Sequence, residues 1–309
     1  MTKVLSFTFI AFVACSLAFA EKLLLTTIKE NAAVSVKQGD KLVAAYQLQP
    51  EKNINLSVES GCYFHPLMTP AGVAVTEVGP ADHPHHRGVF LGWVEMHGKK
   101  DADFWGWGEH APKKDRRIVS REVSDLRTGD AGGFVARNEW LAENEVIIAE
   151  RLTAQVRAVD GANVLDLEYT LTPTADTKLP RWAFSGFCVR TRLDGKLEAH
   201  SPEGVVNLPN PSHVKPESDW PAAAWYAYQL SGVADGKTVG VAVVDHPKNP
   251  PSLWHNHRAI GMINPCIVAP SEVTLKADQP LVLRYRVLAF DGELPRELVT
   301  RLAKEFRGS

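Results

Sequence analysis

Cysteine is scarce in this chain, and so are long apolar runs and blocks of like charge. Each shortage closes off a class of protein. Only four of the 309 residues are cysteine. One of them, Cys15, lies in a leader-like segment, which leaves Cys62, Cys188 and Cys266. An odd number so small allows at most one bridge and excludes a disulfide scaffold. Beyond the first twenty residues no apolar run reaches the roughly 18 residues of a membrane helix. The formal charge of −2, spread without Lys/Arg blocks, gives no support for nucleic acid as a partner.

Residues 1–20 read as a signal peptide. Lys3 gives a positive start, "VLSFTFIAFVA" is a short apolar stretch, and Ala18-Phe19-Ala20 precedes Glu21 as a small-x-small cleavage site. A rival reading is a lipoprotein signal ending at Cys15, where Phe12 fits poorly. Residues 21–309, exported to the periplasm or secreted, would carry a charge of −3 once Lys3 is lost. No composition break marks a linker, so residues 21–309 are expected to form one domain without a membrane span.

What is abundant is period-two patterning. In "NVLDLEYTLT" Leu165, Leu167, Tyr169 and Leu171 alternate with Asp166, Glu168, Thr170 and Thr172, as in a half-buried strand. "ERLTAQVRAV", "TVGVAVVD" and "LVLRYRVLAF" are further strand candidates. Asp-Gly pairs at Asp160-Gly161, Asp194-Gly195, Asp235-Gly236 and Asp291-Gly292 suit the turns between them. The one convincing helix is "ELPRELVTRLAKEF", with Leu294, Leu298, Leu302 and Phe306 four apart. The pattern predicts an all-β protein, a large antiparallel β-sandwich or a barrel, with a C-terminal helix. Residues 207–225, "NLPNPSHVKPESDWPAAAW", carry four prolines and little periodicity. Such a loop is either a functional lid or an inert excursion.

Histidine is the other abundance. Six of the 11 histidines lie between His65 and His110, and "ADHPHHRG" packs His83, His85 and His86 beside Asp82 and Arg87. Pro84 restricts His83 to extended geometry, and an extended run would put His83 and His85 on one side and His86 on the other. Three readings stay open. The rings could satisfy backbone groups at a crowded sheet end. They could bind a divalent metal, since "WHNH" repeats the spacing at His255 and His257. They could move protons on an organic substrate, with Arg87 at an oxyanion.

Other residues are candidates for the same site. "VDHPKNP" supplies Asp245, His246 and Asn249, and "WHNHRAIGMINP" supplies Trp254, His255, His257 and Asn264. Glu150, a carboxylate in a mainly apolar strand, needs a partner or a role. "DFWGWGEH" sets Trp105 and Trp107 two apart, and Trp93 closes the strand after the histidines. Flat rings beside hydrogen-bonding side chains suit a sugar.

The runs "YFHPLMTPAGVAVTEVGPADHPHHRGVFLGW", "DFW", "VGVAVVDHPKNP" and "LWHNHRAIGMINP" resemble, in order and character, the secreted bacterial PmoA-like family over nearly all of residues 21–309. The label implies kinship with a membrane subunit of methane monooxygenase, which a chain without spans does not match. Length and strand content are similar to the galactose-mutarotase-like supersandwich, which binds sugars on a broad sheet and uses histidines and a glutamate as acid and base. The resemblance implies an exported carbohydrate-active protein performing mutarotation, epimerisation, elimination or hydrolysis. His83, His85, His86, Arg87, Glu150, Asp245 and His246 are the expected catalytic set. Trp93, Trp105, Trp107, Asn249, Trp254, His255, His257 and Asn264 are the expected sugar contacts. No cofactor is required on this reading. The rivals are a metal-dependent oxygenase or hydrolase ligated by histidines, with a divalent metal as cofactor, and a non-catalytic carbohydrate-binding protein.

Overall fold

A computed structural model describes residues 24–30, 32–159 and 161–308. The signal-peptide reading of residues 1–20 and the turn residue Asp160 lie outside them. Two large antiparallel sheets dominate. The smaller has seven strands in the spatial order Leu25–Lys29, Ala33–Gln38, Lys41–Gln47, Tyr63–Leu67, Val89–Gly92, Gly186–Arg190 and Met262–Ile263. The larger has nine, in the order Gly204–Val205, Lys196–Ser201, Trp225–Val233, Lys237–Asp245, Leu281–Asp291, Ala162–Pro173, Glu145–Val159, Ala131–Ala142 and Arg116–Arg127. The expected antiparallel β-sandwich with a C-terminal helix is what the chain forms.

Alternation assigns each side chain a face, because successive residues of a strand point to opposite sides. In Ala162–Pro173, Leu165, Leu167, Tyr169 and Leu171 face the main core, whereas Ala162 and Val164 face away from it. In the smaller sheet Phe64, Val89, Leu91, Phe187, Val189 and Ile263 point into that same core. Tyr63, Phe90, Cys188 and Met262 point to the opposite, outer face. Cys62, Cys188 and Cys266 are buried free thiols, and no described helix is long and apolar enough to cross a membrane.

The outer faces are covered differently. The helix Arg296–Arg307 lies on the larger sheet and buries Val299, Leu302, Ala303 and Phe306 against Trp225, Ala242, Val244 and Leu288. Arg286 donates to Leu302 O (2.7 Å) and ties the helix to its strand. Leu294 and Leu298 pack only partly; the helix starts after Pro295, one turn later than the four-residue spacing suggests, which leaves Leu294 outside it. On the smaller sheet loops do the covering: Ile54, Val78, Trp105, Phe184 and Ile260 close over Tyr63, Phe90, Cys188 and Met262.

Leu302→Ala should lower the unfolding free energy by about 2–5 kcal/mol, the usual cost of emptying a fully buried leucine site. Leu298→Ala should cost clearly less. Urea denaturation of both variants checks the order, and equal losses would contradict the helix placement.

Candidate active site

The histidine run lies on the loop-covered face. Its backbone is not extended: His83 N donates to Pro80 O (3.1 Å) and His86 N donates to His83 O (3.0 Å), giving two successive turns. Pro84 takes the second position of the latter turn, where its fixed φ is favoured. The expectation that His86 points away from the other two is therefore corrected. Ring centroids lie 5.7 Å apart for His83 and His85, 4.9 Å for His83 and His86, and 4.7 Å for His85 and His86.

Arg87 holds this turn against the tryptophan loop. Its Nη1 donates to His85 O and Trp105 O (both 3.2 Å), its Nη2 to Phe104 O (3.0 Å), and its guanidinium sits 4.4 Å from the Phe90 ring centroid. Arg87 is 1% exposed. Its fork is engaged with backbone carbonyls and does not face a ligand, contrary to the oxyanion role expected for it. Asp103 fixes the far side of the loop by accepting from Gly106 N (2.7 Å) and Gly108 N (2.5 Å). Gly106 has φ +107°, and a Cβ there would stand 2.8 Å from His85 Cβ. Only glycine takes that backbone and leaves that space. Trp105 sinks beneath the histidines, its ring 5.8 Å from His86. Trp107 remains half-buried, 6.2 Å from His85 and 5.1 Å from Phe184.

A second group of imidazoles meets the first. Trp220 and Trp254 exchange two backbone hydrogen bonds (2.9 and 3.0 Å), which sets Asp219 opposite His255 in an antiparallel bridge. His255 Nδ1 and Asp219 Oδ1 share a hydrogen bond of 2.6 Å. His213, from the proline-rich stretch, approaches from the other side, with Nδ1 3.0 Å from His255 Nε2. It stacks on His257 at 5.0 Å and 9° and lies 6.1 Å from Trp107. Phe184 touches Trp107, His213 and His255 at 5.1, 5.4 and 5.4 Å. Neither His213 nor Asp219 was singled out from sequence. A lone histidine in an aperiodic stretch has no motif, and its partner is set by a long-range backbone pairing.

Burial governs the electrostatics, because desolvation disfavours the charged form. It pushes His85 and His255 down to about 3, and His213 and His257 to about 4. His86 falls well below its ordinary value for the same reason. Asp219 is pushed up to about 8 by burial, against the pull of Arg181. These five rings, of His85, His86, His213, His255 and His257, are thus neutral near neutral pH. His83 Nδ1–H donates to Asp82 Oδ2 (2.8 Å), and Asp82 accepts in turn from Arg190 (3.3 Å). Arg190 also pairs with Glu77 (3.1 Å). Among the described residues His85 Nε2 and His257 Nδ1 are buried without a hydrogen-bond partner. Among the described residues no three His, Cys, Asp or Glu side chains are arranged to hold a metal ion.

The remaining candidates lie elsewhere. Glu150 is in the main core between the sheets, accepting from Asn138 Nδ2 and Trp140 Nε1 (both 2.7 Å). Its partners are structural, and the smaller sheet separates it from the histidines. Asp245 accepts from Asn249 Nδ2 and Ser252 Oγ (both 2.7 Å), and Asn249 also brackets the backbone of Arg284. The His246 ring meets Phe306 of the helix at 5.1 Å. "DHPKNP" thus closes a strand end of the larger sheet and does not join the site. Trp93 and Trp254 are fully buried in the main core. Asn264, also fully buried, bonds the Ser185 backbone.

The structure therefore defines a β-sandwich protein with an imidazole-rich, aromatic-lined cluster on the outer face of its smaller sheet. The chain belongs to DUF6807, a family of unknown function, matched over residues 33–304. The family match carries neither an activity nor the PmoA label. No curated protein matches the chain. Among solved structures it is similar to an alpha-galactosidase from Lactobacillus brevis (10% identity, TM-score 0.38, 87% of this chain and 40% of that one). It is also similar to a heparinase III (10%, TM-score 0.36, 89% and 36%). A galactose mutarotase related enzyme from Lactobacillus acidophilus is similar over 87% of this chain and 97% of its own, at 9% identity and TM-score 0.35. The chain spans well under half the length of the first two. No site or activity transfers from likenesses this distant.

An imidazole whose folded pKa is depressed, as His85's is to about 3, takes up a proton on unfolding at any pH between that value and its unfolded pKa. It contributes stability above the unfolded value, about 6.5, and that stability is lost as pH falls toward 3. His85→Gln should therefore flatten the dependence of unfolding free energy on pH between 4 and 6, by about 1.4 kcal/mol per pH unit. Urea titrations across that range check it; parallel curves for variant and parent would contradict the burial of His85.

Proposed function

We propose that the protein is a carbohydrate-active enzyme that works by general acid–base transfer at the imidazole cluster. One observation carries the reading. Segments far apart in sequence, at residues 83–86, 105–107, 213 and 255–257, meet around a half-buried tryptophan. Trp107 offers an amphipathic ring for the apolar face of a sugar. The imidazoles offer ring nitrogens that accept or donate one proton at a hydroxyl or ring oxygen. His83 suits the exchange because Asp82 engages Nδ1 and leaves Nε2 for substrate. His85 has its Nε2 unpartnered. The reaction classes this supports move protons without a co-reactant: mutarotation, epimerisation or elimination, with hydrolysis using water. Export to the periplasm or beyond remains the reading of the leader-like residues 1–20.

A second reading is favoured by the two unpartnered ring nitrogens, His85 Nε2 and His257 Nδ1. Neutral imidazoles are ligands for divalent zinc, copper or iron. Elemental analysis before and after chelation tests it. Stoichiometric metal lost in His85→Ala would replace the first reading with this one.

Purified protein incubated with a panel of aldoses, keto-sugars and disaccharides, followed by proton NMR of anomers and products, tests the main reading. Turnover of at least one sugar is expected. His83→Ala or His85→Ala should lower kcat by about 10²–10⁴-fold, and Trp107→Ala should raise KM. Sugar binding that survives both histidine changes without any turnover would leave a binding protein and overturn the enzyme.

A further inference from the structure

We infer that Asp219, His255 and His213 form a proton relay in which Asp219 stores the proton and His213 Nε2 delivers it. The inference rests on the acid–base reading of the site and assigns it a direction. Two contacts define the row: Asp219 Oδ1 is 2.6 Å from His255 Nδ1, and His255 Nε2 is 3.0 Å from His213 Nδ1. Among the described residues His213 Nε2 bonds no protein group. The row runs from the interior outward. The carboxylate side chain and the His255 ring are both wholly inaccessible, whereas His213 is half-buried between Trp107 and the stacked ring of His257.

Every neutral imidazole has one N–H and one lone pair, so the row has two self-consistent forms. In the loaded form the Asp219 carboxyl donates to His255 Nδ1, His255 Nε2–H donates to His213 Nδ1, and His213 Nε2–H is offered outward as an acid. Giving that proton to substrate shifts each hydrogen one place along. Asp219 is left as a carboxylate accepting from His255 Nδ1–H, His255 Nε2 accepts from His213 Nδ1–H, and His213 Nε2 becomes a base. One proton leaves, one charge appears on Asp219, and no ring becomes imidazolium.

That economy suits the surroundings. His83 and His257 are near enough to His213 to disfavour a cation on it, and burial disfavours one on His255. Asp219 faces His255, with Arg181, Glu217 and Cys266 as its other charged or titratable neighbours. Burial keeps its proton affinity near the working range, at about 8. Asp219 touches no ligand-facing atom and is a positioning residue; His213 is the catalytic one.

Long-range proton–nitrogen-15 spectra of histidine-labelled, full-length protein test the relay without any sugar. As pH rises through about 8, His255 and His213 should both pass from the Nε2–H to the Nδ1–H tautomer, with neither showing imidazolium shifts. Asp219→Asn should freeze both tautomers across that range. His213→Gln should keep the switch at His255, and this second variant serves if the first fails to fold. Rings that titrate to imidazolium between pH 6 and 8, or parent tautomers that do not change with pH, would overturn the relay. A tautomer switch in protein that turns over no sugar would sink the proposed function and leave the relay standing.

Discussion

A buried cation with nowhere to go but the backbone organises this molecule. Arg87 is sealed beneath the histidine turn, and a bare guanidinium there would cost several kcal/mol in lost hydration. Carbonyls of His85, Phe104 and Trp105 offset that cost, with the Phe90 face below and the Asp103 carboxylate near by. Because the acceptors come from two loops, satisfying the charge requires the loops to meet. Burial lowers Arg87 only to about 10, so it stays cationic and keeps them together near neutral pH. The histidine rings above inherit their spacing from that weld, and Asp103 and Gly106 shape the loop to accept them.

The same logic separates residues that hold the fold from residues free to react. Glu150, Asp245, Asn249 and Asn264 have their hydrogen-bonding atoms turned to protein partners, and each closes a strand, a turn or a gap in the core. Polar groups so fully satisfied add rigidity and have little left for a ligand. Among the described residues, His83, His85, His213 and His257 each keep a ring nitrogen without a protein partner.

Much of this was legible in the sequence. The alternation of Leu165, Leu167, Tyr169 and Leu171 is a local consequence of one buried face, and it reads directly as strand. The helix followed from its apolar stripe, although Pro295 moved its start. The concentration of chemistry around residues 83–86 was visible too, but its shape was not. Pro84 acts both on the residue before it and as the second residue of a turn, and the turn won once Arg87 demanded that His85 O point inward. His213 and Asp219 were out of reach because the pairing of Trp220 with Trp254 spans 34 residues and leaves no local pattern. "DHPKNP" misled for the opposite reason: its Asp, His and Asn resemble catalytic chemistry but serve the end of a strand and the helix beside it.

The two broad surfaces of the sandwich have unequal freedom to change. A helix locked to Arg286 covers one, and altering it would disturb a layer of apolar contacts. Loops alone roof the other, anchored at their bases by a handful of backbone pairings. Relatives of this chain can therefore lengthen, shorten or replace segments over the smaller sheet while the double-sheet body stays as it is. Sequence diversity within the family should accumulate on that side.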